Sequence, residues 1–157
     1  MKANLGCGND IIPGWDNIDK GYSHNSPEFV IAMDIETYLA GLPDNTLTHV
    51  KAHHVLEHVA DLDSMMKELH RVCVSGATID IVVPLANTLW AVANPDHKRI
   101  FNHRTFQYYT HDFDTSDLGL FRGFSIMSQK VDREPNEWFG GIEWIVANLR
   151  VMLEVVK

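Results

Sequence analysis

Apolar residues recur along the chain in short runs, each ending on glycine, an acidic residue or histidine. Residues 3–5 close on Gly6-Cys7-Gly8, residues 15–18 on Asp19, residues 29–33 on Asp34, and residues 48–53 on a polar, His-rich turn. Short apolar runs bounded by turn residues read as strands. Residues 61–74 follow another period. Leu62, Met65, Met66, Leu69, Val72 and Cys73 share one helical face, behind Asp61 as an N-cap and ahead of Gly76 as a stop. Residues 78–83 form a β-branched strand halted by Pro84.

Strands alternating with helical or turn segments predict a parallel α/β sheet. Residues 104–113 suit a short helix. Residues 121–131 and 143–156 suit two longer strands, joined by a turn-rich stretch around Pro135 and Gly140-Gly141. The expected α/β architecture is a mostly parallel, seven-stranded sheet with a C-terminal antiparallel hairpin, formed by residues 1–157 as a single domain. One crossover is short. Only residues 9–14 separate the glycine turn from the second strand, where about ten or more are usual. The first helix is therefore shortened or missing. The sheet face it would cover is left thin, which points to a homodimer or a covering segment.

Hydrophobic residues make up 45% of the 157, enough for a sizeable core. No run is long and apolar enough to span a membrane, and the first residues enter a strand directly, so no signal peptide is expected. Cys7 and Cys73 then read as reduced thiols of a cytoplasmic protein. A net charge of -8 argues against nucleic acid as a partner. The densest basic stretch, His97-Lys98-Arg99 then His103-Arg104, could grip one anionic group but not a polymer.

In open α/β sheets ligands sit at the carboxyl ends of strands. Those ends carry Asn4 to Gly8, Asp19, Asp34 and His53 to His58. Gly6-Cys7-Gly8 allows a sharp turn and close backbone approach to a ligand. A dinucleotide is disfavoured: Ile11 stands where a third glycine belongs, and there is hardly room for a helix aimed at a pyrophosphate. S-adenosylmethionine (SAM) needs neither feature. Carboxylates suit its hydroxyls, amines and positive charge, with Asp19 placed for the ribose and Asp34 for the adenine amine. Asp34 equally suits a cap on the turn that begins at Ile35.

Asn4-Leu5-Gly6-Cys7-Gly8 with Pro13-Gly14-Trp15-Asp16-Asn17-Ile18-Asp19 resembles the first two motifs of small class I SAM-dependent methyltransferases, whose fold is Rossmann-like. Leu42-Pro43-Asp44-Asn45-Thr46, His54-Val55-Leu56-Glu57-His58 and Leu69-His70-Arg71-Val72 resemble their fourth-strand region and following helix. Asn94-Pro95-Asp96-His97-Lys98-Arg99-Ile100-Phe101 is similar to a substrate-side loop of a subgroup. The resemblance implies SAM as cofactor, with Gly6, Gly8, Asp19 and Asp34 in contact and His53 and His54 beside it. Asn4, Cys7 and Ile35 complete the candidate cofactor set. Asp80 interrupts an otherwise apolar strand.

His54-Val55-Leu56-Glu57-His58 also matches H-x-x-E-H, an inverted zinc-peptidase pattern. No later element supplies an obvious third ligand on a helix. The segment also resembles the corresponding one in ubiquinone-biosynthesis O-methyltransferases, where such side chains can hold a divalent metal. A metal is the lesser reading, none is assigned, and Glu57 and His58 are expected to hold the loop. Transfer to oxygen calls for positioning and a base. His97 and His58 are the candidate bases, and Arg99 the candidate grip on an anionic acceptor or a partner for Asp96. Trp90, Phe101, Tyr108 and Tyr109 are candidates for an acceptor pocket or for core. The expected activity is methyl transfer to a small-molecule or sugar-like acceptor, at oxygen rather than nitrogen. The alternatives are a SAM-binding module without transferase activity and a SAM-consuming lyase.

Overall fold

A computed structural model of the chain describes residues 1–22, 29–111, 118, 121–133, 137–139, 142–144 and 147–157. Seven strands form one sheet: β1 (Lys2–Leu5), β2 (Asp16–Ile18), β3 (Val30–Ile31), β4 (Leu47–His53), β5 (Cys73–Pro84), β6 (Phe124–Arg133) and β9 (Ala147–Val155), in the order β3-β2-β1-β4-β5-β9-β6. The first five run parallel, and β9 lies antiparallel between β5 and β6. A separate two-stranded ribbon, β7 (Glu137–Phe139) with β8 (Ile142–Trp144), lies in the connection between β6 and β9. The Pro135 and Gly140-Gly141 turn predicted there falls outside the described residues.

Alternation along the strands sorts the sheet into two unlike faces. On one face Ala3, Leu5, Val50, Ile79, Ile81, Leu149, Val151 and Leu153 are buried. Helix α2 (Leu62–Val72) packs there through Leu62, Met65, Met66, Leu69 and Val72, joined by Leu39 of α1 (Ile35–Ala40) and by Phe106 and Tyr109 of a 3₁₀ turn. Burying such a side chain is worth about 1.5–3 kcal/mol. Asp61 caps α2, accepting from the Ser64 N–H at 3.1 Å.

The other face is polar. Lys51 pairs with Asp10, and the Asp80 carboxylate bridges His53 Nε2 at 3.1 Å and Arg150 Nε at 3.0 Å. This accounts for Asp80. Lys51 and Asp80 lie opposite each other in register across β4 and β5, and both point away from the core. Parallel sheets are ordinarily covered on both faces. Here no helix among the described residues covers the second face, and its charged pairs are partly exposed to water. The thin covering expected from the sequence is present.

No helix joins β1 to β2. A hydrogen-bonded turn, Asp10 N to Cys7 O at 2.8 Å, does so instead. The expected helix stop at Gly76 is corrected. Helix α2 ends at Cys73, whose extended backbone starts β5 directly. Its last carbonyls accept from the Asn45 and Thr46 N–H groups at 3.0 and 2.6 Å, so no glycine cap is required. Gly76 lies inside β5 at φ +78°, where the register against β4 shifts. That is the bulge geometry glycine permits.

Candidate functional site

The carboxyl ends of the first four strands surround a cavity of about 620 Å³. Gly6, Asp19, Asp34, Ile35, His54 and His58 all line it. Gly6 sits at φ +61°, and a Cβ added there would lie 2.4 Å from Val55 Cγ2. Backbone conformation and space both demand glycine. Asp19 accepts from the Gly8 N–H through Oδ2 at 2.8 Å and from the Gly21 N–H through Oδ1 at 2.7 Å. It clamps the glycine loop to the turn after β2, and each oxygen keeps a lone pair for a ligand. Asp34 caps α1, accepting from the Glu36 N–H at 2.9 Å. The cap predicted for it is present, and its position on the cavity wall is compatible with both roles.

Other candidates are placed elsewhere. Asn4 is 2% exposed and donates to the Asp10 carbonyl at 2.6 Å and to Asn17 Oδ1 at 3.1 Å. Asn17 in turn binds both the N–H and the carbonyl of Ile12. This pair shapes the turn that replaces the first helix, and Asn4 does not line the cavity. Cys7 is buried beneath the loop, where desolvation and then the nearby Asp19 charge raise its thiol pKa. Gly8 is covered by Tyr22, whose hydroxyl donates to its carbonyl at 2.9 Å. His53, expected beside the cofactor, belongs to the polar sheet face with Asp80. Strand alternation turns it away while leaving the next residue at the cavity.

That residue, His54, has φ +55°, an uncommon conformation for a residue with a Cβ. It is held by its N–H donating to the Val82 carbonyl at 2.8 Å. His54 and His58 also line a second cavity of about 570 Å³, with Glu57, Trp90, Asn94 and His97. The His58 and His97 rings meet edge-to-face at 4.9 Å. Glu57 is 1% exposed, and neither carboxylate oxygen has a hydrogen-bond partner. His54 Nδ1 stands 3.5 Å from Glu57 Oε1, an ion-pair contact when the ring is protonated but not a hydrogen bond.

Backbone approach at Gly6 and acidic strand ends suit a cationic ligand rich in hydroxyls and amines. A family model, that of a methyltransferase domain, matches residues 4–81, the segment that builds the larger cavity's strand ends. Residues 4–81 thus carry a methyltransferase domain, in the fold of the class I SAM-dependent methyltransferases. SAM is its methyl donor. Solved structures agree on the fold. A SAM-dependent methyltransferase from Archaeoglobus fulgidus superposes with a TM-score of 0.66 at 15% identity, covering 98% of this chain and 85% of that one. The YcgJ protein from Bacillus subtilis gives 0.66 at 10% identity, covering 99% and 92%. A SAM-dependent methyltransferase from Anabaena variabilis gives 0.61 at 10% identity, covering 98% and 76%. No curated protein matches by sequence.

In this methyltransferase Arg99 lines neither cavity. Its guanidinium donates to the Val59 and Ala60 carbonyls at 2.8 and 2.7 Å, which fastens the 94–99 loop to the start of α2. Asp96 and Lys98 instead line the larger cavity. Trp90 is 43% exposed and walls the second cavity, whereas Phe101 and Tyr109 are core and Tyr108 lines neither cavity. Lys20, Glu36 and Val55 also line the larger cavity and were not singled out from the sequence. Lys20 follows Asp19 and Glu36 lies two residues past Asp34, so extending the strand-end rule by two positions would find them. Val55 carries no such signal, because the approach of two loops sets its role. Among the described residues no helix is long and apolar enough to cross a membrane.

Proposed function

We propose that the methyltransferase holds SAM in the larger cavity and methylates a small, uncharged hydroxylated acceptor, aromatic or sugar-like, seated in the second. Asp19 accepts from the ribose hydroxyls and Asp34 from the adenine amine, with the Gly6 backbone close against the ligand. Bound SAM supplies an electrophilic methyl group on a sulfonium. The observation that carries the reading is that the two cavities share His54 and His58. The cavities adjoin at these two side chains, so an acceptor oxygen in the second reaches past them to within the roughly 3–3.5 Å of the methyl group that an in-line transfer needs. Trp90 offers a flat apolar wall to the acceptor. The acceptor's proton leaves at the cluster of Glu57, His58 and His97. An uncharged acceptor is favoured because no lysine or arginine lines the second cavity among the described residues. The net charge of -8 disfavours nucleic acid.

Calorimetric titration with SAM and S-adenosylhomocysteine, with Asp19→Ala as control, tests the cofactor site. Micromolar binding of both, lost in the variant, supports it, while unchanged binding by Asp19→Ala removes it. Release of S-adenosylhomocysteine only when a hydroxylated acceptor is added supports the second cavity's role. Release without any acceptor overturns that role.

A further inference from the structure

We infer that Glu57, His58 and His97 form a binding site for a divalent transition-metal ion in the second cavity. One donor atom from each residue lies within 4.8 Å of the other two. Ligands held tetrahedrally at about 2.0–2.2 Å stand about 3.4 Å apart, so the set closes by roughly an ångström or more around an ion.

The state of Glu57 is the second observation. Its carboxylate is buried and neither oxygen is hydrogen-bonded. A buried charge is costly unless paired or coordinated. His54, the nearest cationic candidate, is half-exposed and makes no hydrogen bond to it. A bound cation satisfies the carboxylate directly.

His97 is prepared for the role. Its Nδ1 faces the Ala91 carbonyl at 3.4 Å. A ring donating there carries its lone pair on Nε2, the tautomer a metal ligand requires. The Lys98 N–H donates to the Glu57 carbonyl at 2.7 Å, and this bond together with those of Arg99 brings the loop to the site. Two imidazoles and one carboxylate suit a first-row transition ion better than magnesium or calcium.

The set differs from the one a helical reading of H-x-x-E-H gives. Residues 56–58 are a 3₁₀ turn preceded by His54 at positive φ, so His54 stays outside. The third ligand comes from a loop some forty residues on. Three protein ligands leave coordination positions open toward the cavity. An acceptor hydroxyl bound there would lose its proton more readily, to solvent at the mouth of the cavity, while His58 and His97 hold the ion instead of acting as bases. That role toward the acceptor rests on the proposed function, but binding of the ion does not.

The test is a Co²⁺ titration of chelator-treated protein, read by visible d–d absorption, with Zn²⁺ calorimetry alongside. The expected result is one ion per chain. His97→Ala and His58→Ala should each weaken binding by more than the roughly tenfold to hundredfold that loss of a supporting partner costs. His54→Ala should bind as the parent does. Glu57→Gln is a further variant, and His97→Ala, on a surface loop, carries the test if Glu57→Gln fails to fold. Absence of d–d bands in the parent protein, or unchanged affinity in His97→Ala, overturns the proposal. Metal binding without acceptor-dependent turnover would instead count against the acceptor reading alone.

Discussion

Gly6 and Val55 meet so closely that one methyl group cannot be added between them: a Cβ on Gly6 would stand 2.4 Å from Val55 Cγ2. The contact locks the loop after β1 against the turn after β4. Gly6→Ala adds this clash to a left-handed backbone penalty of about 1–2 kcal/mol. The total loss of stability should reach about 2–4 kcal/mol in urea unfolding. Adding Val55→Ala removes the clash and leaves the backbone term, so the double variant should recover only part. Full recovery would show that φ at Gly6 is unimportant.

The Asp80 bridge predicts a pH dependence. Burial pushes its carboxyl upward, but hydrogen bonds from His53 and Arg150 outweigh it and bring the pKa down to about 2. An unfolded aspartate titrates near about 4. A depressed folded pKa gives stability that is complete above about pH 4 and lost as pH falls toward about 2. The pairs lie on a wet face, so screening limits the contribution to about 1–2 kcal/mol. Asp80→Asn should be less stable than the parent by that amount at pH 7. Urea melts should show the gap closing between pH 4 and pH 2. A gap independent of pH would assign the loss to packing.

His54 holds a strained backbone between the two cavities. His54→Gly should raise stability by about 1 kcal/mol by removing the Cβ penalty. The same change should reduce turnover, because the shared wall loses its side chain. A thermal melt paired with a rate measurement checks both, and a fall in melting temperature would refute the strain.

Arg99 fastens the acceptor-side loop without lining either cavity. Arg99→Ala should raise KM for the acceptor and leave SAM affinity unchanged by calorimetry. Neutral and anionic acceptors should suffer alike. A selective loss of anionic acceptors would restore the role of an anion grip.

The sheet was legible because its strands are short, apolar and stopped by residues with a physical reason to stop them. The missing first helix followed from the length of residues 9–14 alone. Asp80 was opaque because its reason lies in Arg150, seventy residues away. The same holds for His53 and Asn4. Their strand-end positions were visible, but the face each takes depends on register with a neighbouring strand. At the site, strand ends located Gly6, Asp19 and Asp34. The meeting of His97 with Glu57 and His58 depends on a loop folding back over a turn, which no local pattern encodes.

The wet face of the sheet has a consequence for how this domain can change. Asn4 and Asn17 shape the glycine loop from that side, and Asp80 restrains His53 just before His54. These side chains can be exchanged without repacking the hydrophobic layer that drives folding. Loop placement and hydrophobic packing thus rest on two separate sets of residues. Substitutions one backbone away from the ligand can retune the site while the apolar core is left intact.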